Sequence, residues 1–197
     1  MSILVVGATG ATGRLLVKEL LARGLMVKVL VRSAAGLPAE LRHHPRLSLV
    51  EGTVPGFDIA ELALQLQECQ AIVCCLGHTL SWRGIFGPPW RLVADSVRLL
   101  CQASKLKPKP WPLKFVLMNT AGNLNPDAQE RRSLLEHMVM GLVRLLLPPQ
   151  ADNEAAANYL RRDIGRHDKA IRWVVVRPDS LTNDERPSAY ELHPSPV

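Results

Sequence analysis

The stretch Ile3-Leu4-Val5-Val6-Gly7-Ala8-Thr9-Gly10-Ala11-Thr12-Gly13, followed by Arg14-Leu15-Leu16-Val17-Lys18-Glu19-Leu20-Leu21, passes from a short apolar run through three glycines into an amphipathic helical pattern. The apolar run is short enough for a buried strand, and the leucines and valine recur at helical spacing. Glycine lets the backbone turn sharply and lie against a ligand with no Cβ between them. The first N–H groups of the new helix have no intrahelical partner and point at whatever anion rests there. The glycines fall at three-residue intervals, GxxGxxG and not GxGxxG. Strand, glycine turn and helix together meet the structural condition for a dinucleotide-binding fingerprint. A ligand-free turn would need one glycine at most, so three spaced glycines favour a phosphate site.

The rest of the chain repeats the alternation. Met26–Val31, Leu47–Val50, Ala71–Leu76, Lys114–Met118 and Ile171–Val176 read as strands. Helical patterns lie around 59–66, 90–104, 131–147 and after the Pro148-Pro149 pair. Strands alternating with helices imply right-handed βαβ units, hence a doubly wound, mostly parallel sheet with helices on both faces. The run Ala71-Ile72-Val73-Cys74-Cys75-Leu76 has no polar alternation and reads as a strand covered on both sides. The 131–147 stretch sets Ser133, Glu136, His137, Gly141 and Arg144 on one narrow stripe and apolar residues nearly everywhere else. Such a helix wants cover on most of its circumference. Core packing, a lid over a substrate and a surface for homo-oligomer formation are the three readings of it.

With 197 residues the chain suits one domain with a proper core and leaves no room for a second catalytic domain. The first strand starts at residue 3 and no apolar run reaches membrane-spanning length, so the expectation is a cytoplasmic protein with no membrane span. Cys69, Cys74, Cys75 and Cys101 show no CxxC spacing, and the six histidines show no ligand pattern; no metal site is expected. The net charge of +6 is dispersed. Its densest patch, Lys105-Leu106-Lys107-Pro108-Lys109-Pro110-Trp111, reads as a solvated loop, so no nucleic-acid partner is expected.

In dinucleotide folds an acidic residue at the end of the second strand accepts hydrogen bonds from the adenosine ribose. Here that place holds Arg32-Ser33. A guanidinium accepts nothing but forks well onto a 2′-phosphate, which favours NADP(H) over NAD(H). Arg14, directly after the third glycine, adds to that charge. Ligands of open α/β sheets sit beyond the carboxyl ends of the strands. That rule puts Gly52-Thr53-Val54 and Leu76-Gly77-His78 on the adenine side, and Asn119-Thr120-Ala121 with Arg177-Pro178-Asp179-Ser180 on the nicotinamide side.

Taken together, the glycine loop 7–13, Val31-Arg32-Ser33, Cys75-Leu76-Gly77, Met118-Asn119-Thr120-Ala121-Gly122 and Val174-Val175-Val176-Arg177-Pro178 resemble the atypical short-chain dehydrogenase/reductase superfamily. The likeness is strongest to the small NAD(P)H-binding branch that includes biliverdin/flavin reductase and the regulator of nitrogen metabolite repression, and it covers most of residues 2–182. The resemblance implies a Rossmann-like domain over 1–197 whose family would carry a further strand and helix after Pro178. It implies that Gly7, Thr9, Gly10, Ala11, Thr12 and Gly13 hold the pyrophosphate, Arg32 and Ser33 the 2′-phosphate, and Thr53, Leu76 and Gly77 the adenosine. Thr120 falls at the family's active-site serine or threonine position, and Pro178 meets the nicotinamide amide through the backbone. Thr53 stands where many members carry aspartate. The Tyr-xxx-Lys pair of the main branch is absent: Tyr159 is followed at four residues by Asp163, a neighbour that disfavours phenolate.

Two functions follow. One is an NADPH-dependent reductase of a planar, electron-poor small molecule such as a flavin, quinone or enone, with Thr120 donating a hydrogen bond and Asn119 orienting the acceptor. Such acceptors need orientation more than a strong protein acid. The other is a non-catalytic NADP(H)-sensing or partner-binding protein. An epimerase or dehydratase would need an acid/base pair that the sequence does not offer.

Overall fold

The computed structural model describes residues 1–79, 81–128, 130, 133–179, 181 and 189–194. Ser180 and Arg131, both placed above, lie outside the described residues. Six strands, β1 (Ser2–Val6), β2 (Met26–Val31), β3 (Leu47–Glu51), β4 (Cys69–Cys74), β5 (Leu113–Met118) and β6 (Ile171–Val176), form one sheet in the order β3-β2-β1-β4-β5-β6. Every pairing between neighbours is parallel. The order reverses between β1 and β4. That switch point is where loops diverge to opposite faces and leave a crevice at the carboxyl edge.

The helices are α1 (Ala11–Ala22), α2 (Ala39–Arg42), α3 (Ile59–Leu66), α4 (Trp82–Phe86), α5 (Leu92–Leu106), α6 (Leu134–Leu146) and α7 (Pro148–Tyr159), the last continuing as a π-helical turn over Leu160–Ile164. Alternation along the strands sorts side chains to two cores. Leu4, Val6, Ile72, Cys74, Phe115 and Leu117 face Leu62 and Leu66 of α3, Val97 and Leu100 of α5, and Ala156 of α7. On the other face Val5, Val27, Val29 and Val31 meet Val17 and Leu21 of α1, with Leu37 and Leu41. Each fully buried Leu, Val or Phe contributes about 1.5–3 kcal/mol.

The second core covers the β1–β3 half of its face and reaches Val73 of β4 as a partly buried neighbour. Further along that face Val174 and Val176 of β6 are 50% and 39% exposed. Three expectations are corrected. The 131–147 helix does not pack into a core: α6 turns Leu134, Leu135, Met138, Val139, Leu142 and Leu146 outward, all more than half exposed, and Met140 and Val143 are only half-buried. Pro148-Pro149 does not merely separate two helices. It forms the first turn of α7, where a missing N–H costs nothing and a fixed φ suits the helix. Finally, Lys109 in the basic loop is not simply solvated. Its ammonium donates to the Leu66 carbonyl at 2.7 Å and to the Cys69 carbonyl, closing the C-terminal end of α3.

Candidate functional site

Because all strands run the same way, their carboxyl ends share one edge, and the loops after β1, β2, β3, β4, β5 and β6 gather there. The glycine loop sits at the switch point, and its three glycines differ in what requires them. Gly7 has φ +78°, and a Cβ there would lie 2.4 Å from the Cys75 carbonyl oxygen at the end of β4. At Gly13 a Cβ would lie 2.2 Å from the Gly7 carbonyl oxygen, so the first turn of α1 packs directly on the loop. Gly10 is different: a Cβ would meet only the Gly7 oxygen, at an ordinary 3.4 Å. Protein packing does not demand glycine at position 10. The roles match a fingerprint in which the first glycine makes the turn, the second admits the pyrophosphate and the third packs the helix. Gly10 caps α1 with no side-chain hydrogen bond, and the first turn carries no acidic residue. Its N–H groups and the positive end of its dipole therefore remain for an anion.

Thr9 packs against the turn that follows β2: a Cβ on Gly36 would lie 2.8 Å from the Thr9 methyl. Arg32 and Arg14 are exposed, and neither makes an ion pair among the described residues. Ser33 starts the 34–36 turn, its hydroxyl accepting the Ala35 N–H at 3.3 Å. The neighbouring amide is taken by a residue the sequence reading passed over: Glu51 Oε1 accepts the Ala34 N–H at 2.5 Å. After β3, Thr53 is exposed and leads into the Val54–Gly56 turn. Leu76 is half-buried and Gly77 exposed.

On the other side of the switch point Asn119 is buried, its amide N–H donating to the Asn153 carbonyl at 2.9 Å and its Oδ1 accepting the Thr120 N–H at 2.8 Å. An amide turned inward holds the Thr120 backbone; the orienting contact with an acceptor expected of Asn119 is not what this geometry offers. Thr120 Oγ1 accepts the Gly122 N–H at 3.0 Å, and its hydroxyl hydrogen has no acceptor among the described residues. Arg177 forks onto Glu130 at 2.6 and 2.7 Å and donates to the Asn123 carbonyl at 2.6 Å. That pair ties the loop after β5 to the residue that follows β6, and the next residue, Pro178, is half-buried. Tyr159 lies under Arg98, whose guanidinium carbon is 5.6 Å from the ring centre. Burial first, then Cys101 and Asp163, push its phenol up, the wrong direction for a general base.

A second pairing the sequence reading missed joins His78 to Asp152, 74 positions apart. His78 Nε2 lies 2.8 Å from Asp152 Oδ2, and its Nδ1 3.1 Å from the Gly84 carbonyl oxygen. The Asp152 carboxylate also accepts the Val93 and Ala94 N–H groups at 2.8 and 2.9 Å, so a residue of α7 caps α5. Both ring nitrogens of His78 are engaged. The pair is a clamp between the β4 loop, α5 and α7, and not a proton donor to a ligand.

A family model described as NAD(P)H-binding matches residues 7–196. The chain belongs to the NAD(P)H-binding family. It is 27% identical over 182 residues to an uncharacterised chloroplastic protein of Arabidopsis thaliana, covering 92% of this chain and 60% of the relative. The chain thus spans about 60% of the length of the curated relative it matches. Its fold is that of a wide-type short-chain dehydrogenase/reductase from Veillonella parvula DSM 2008 solved in complex with NADP (TM-score 0.64, 18% identity, 96% of this chain and 74% of that one). The anaerobillin reductase ChuY of Escherichia coli O157:H7 shares it too (TM-score 0.58, 16% identity, 90% and 72%). Among the described residues no His, Cys, Asp and Glu cluster is arranged to hold a metal ion, and no helix is long and apolar enough to cross a membrane.

Proposed function

We propose that this protein binds NADP(H) in preference to NAD(H) and passes hydride to a planar, electron-poor small molecule such as a flavin, quinone or enone. The observation that carries the nucleotide half is Gly10, an exposed glycine whose Cβ would meet only the Gly7 oxygen, at 3.4 Å, so that packing does not require it. In this reading Gly7, Thr9, Gly10, Ala11, Thr12 and Gly13 hold the pyrophosphate, Arg14, Arg32 and Ser33 the 2′-phosphate, and Thr53, Leu76 and Gly77 the adenosine. Pro178 meets the nicotinamide amide through its backbone. Bound NADPH would supply the hydride. Thr120, whose hydroxyl hydrogen has no acceptor among the described residues, donates a hydrogen bond to the acceptor oxygen or nitrogen; Asn119 acts behind it by fixing its backbone. The NADP complex of the Veillonella protein and the reductase activity in the name of ChuY belong to those proteins and support this reading by analogy of fold. The four cysteines are unpaired, in keeping with a cytoplasmic, reducing setting.

A second reading, a nucleotide-sensing regulator without catalysis, is favoured by α6. Its outward arc of Leu134, Leu135, Met138, Val139, Leu142 and Leu146 would be covered in a homo-oligomer, with a sedimentation coefficient that falls on dilution as the signature. Titration with NADPH, NADP⁺ and NADH tests both readings. Tight NADPH binding that weakens about tenfold or more in Arg32→Ala, the worth of one forked charge-assisted contact, together with turnover of a flavin or quinone, supports the reductase. Binding with no turnover across the acceptor panel and a marked difference between NADP⁺ and NADPH supports the sensor, because equal affinity shifts no equilibrium. No nucleotide binding overturns both.

A further inference from the structure

We infer that Glu51 is a specificity-determining residue of the adenosine pocket: its carboxylate opposes a 2′-phosphate and accepts a hydrogen bond from an unphosphorylated 2′-hydroxyl. This rests on the NADP(H) reading above and refines it. The register pairs Val31 of β2 with Glu51 of β3, and the Gly52 N–H donates to the Val31 carbonyl at 2.8 Å, so the two strand ends are locked side by side. The chain after Val31 is Arg32-Ser33-Ala34, the segment assigned to the 2′-position. Glu51 Oε1 accepts the Ala34 N–H at 2.5 Å, and Ser33 Oγ accepts the Ala35 N–H. Both amides that open the turn are thus held by oxygens of the chain itself. Glu51 forms no ion pair with Arg32 or with any other described residue, so its charge stands unneutralised beside the segment.

A phosphate arriving at Arg32 and Ser33 must draw the Ala34 amide away from Glu51 and then rest close to a carboxylate. Two anions sharing one donor set repel, and at a partly solvated site that repulsion costs a modest but measurable amount. A ribose hydroxyl meets no such cost: it donates to the carboxylate as it does to the acidic residue of NAD-binding folds. Arg32 therefore pulls toward NADP(H) while Glu51 pulls toward NAD(H), and the discrimination is a difference between the two. The prediction is a dinucleotide protein with a narrow preference, widened by removing the carboxylate.

The experiment compares NADPH and NADH affinities by calorimetry for the wild-type chain, Glu51→Gln and Arg32→Ala. Glu51 is exposed, so the glutamine variant keeps the fold, and its melting curve verifies this. Glu51→Gln is expected to raise the NADPH-to-NADH affinity ratio about tenfold, the scale of one close charge–charge contact in partial solvent. Most of the change should come from tighter NADPH and the rest from weaker NADH. A ratio within about twofold of wild type, well under the effect of one such contact, overturns the inference while leaving the Arg32 result to judge the NADP(H) reading separately. Failure of the wild type to bind either nucleotide overturns both.

Discussion

Gly10 and Gly13 lie three residues apart in one loop, yet a single added methyl group should affect them through different physics. At Gly13 a Cβ is 2.2 Å from a backbone oxygen, an overlap that only a backbone shift relieves. Gly13→Ala is expected to lower stability by about 3 kcal/mol, the upper end of overpacking costs, and nucleotide binding would be lost with the fold's first βα turn. At Gly10 the same methyl group meets nothing closer than 3.4 Å, and the backbone there, φ −73° and ψ 165°, is one that alanine adopts without strain. Gly10→Ala is therefore expected to keep its melting temperature and to weaken NADPH binding at least tenfold, because the Cβ occupies the place of the pyrophosphate. Melting curves and titrations of the two variants separate the cases. Unimpaired binding in a stable Gly10→Ala protein would remove the pyrophosphate from this loop.

At the scale of the elements, the capping of α5 comes from outside its own sequence. Arg91 precedes α5 with no side-chain cap, and Asp152 of α7 supplies the missing acceptor to Val93 and Ala94 while holding His78. Asp152→Ala strips a buried carboxylate from three donors at once and is expected to cost about 3 kcal/mol in urea unfolding. Asp152→Asn, which keeps one carbonyl acceptor, should cost less. Equal stability of Asp152→Ala and wild type would mean that the clamp holds nothing. This pairing also marks the limit of what was legible in the sequence. Strands β2 and β6, helix α3 and the glycine loop are local: apolar runs, β-branched residues and glycine spacing specify them within a few residues, and the parallel, doubly wound sheet follows from the alternation. Asp152–His78 and Glu51–Ala34 depend on which strand ends and helices become neighbours, a property of the assembled sheet. Pro148 misled because proline reads as a breaker in the chain and as an initiator at the first helical position. The short α4 carries too few residues for a period to register. For α6 the pattern asks for cover that the described residues do not supply: a pattern names the need for a partner and not whether the same chain supplies it.

Over the whole molecule, the thiols couple stability to alkaline pH. Burial pushes Cys74 and Cys101 up to about 12 and Cys75 up to about 11, with a further upward push on Cys74 from Cys75. In the unfolded chain the same thiols ionise near their ordinary value of about 8.5. Below that value both states hold the protons and the thiols leave stability unchanged with pH. Above it the unfolded chain releases protons that the folded chain keeps, so stability declines as pH rises, until the folded thiols ionise near 11 to 12. The melting temperature is therefore expected to hold between pH 7 and 8 and to fall steadily from about pH 9 upward. Lysines titrate in the same range, and the Cys74→Ala/Cys101→Ala variant separates the two sources. That protein should start from a lower melting temperature at pH 7, having lost two buried sulfurs, and then decline less steeply between pH 9 and 11. The window follows from the thiol values above. Parallel declines in the two proteins would assign the alkaline loss to the amines and strip the thiols of this role.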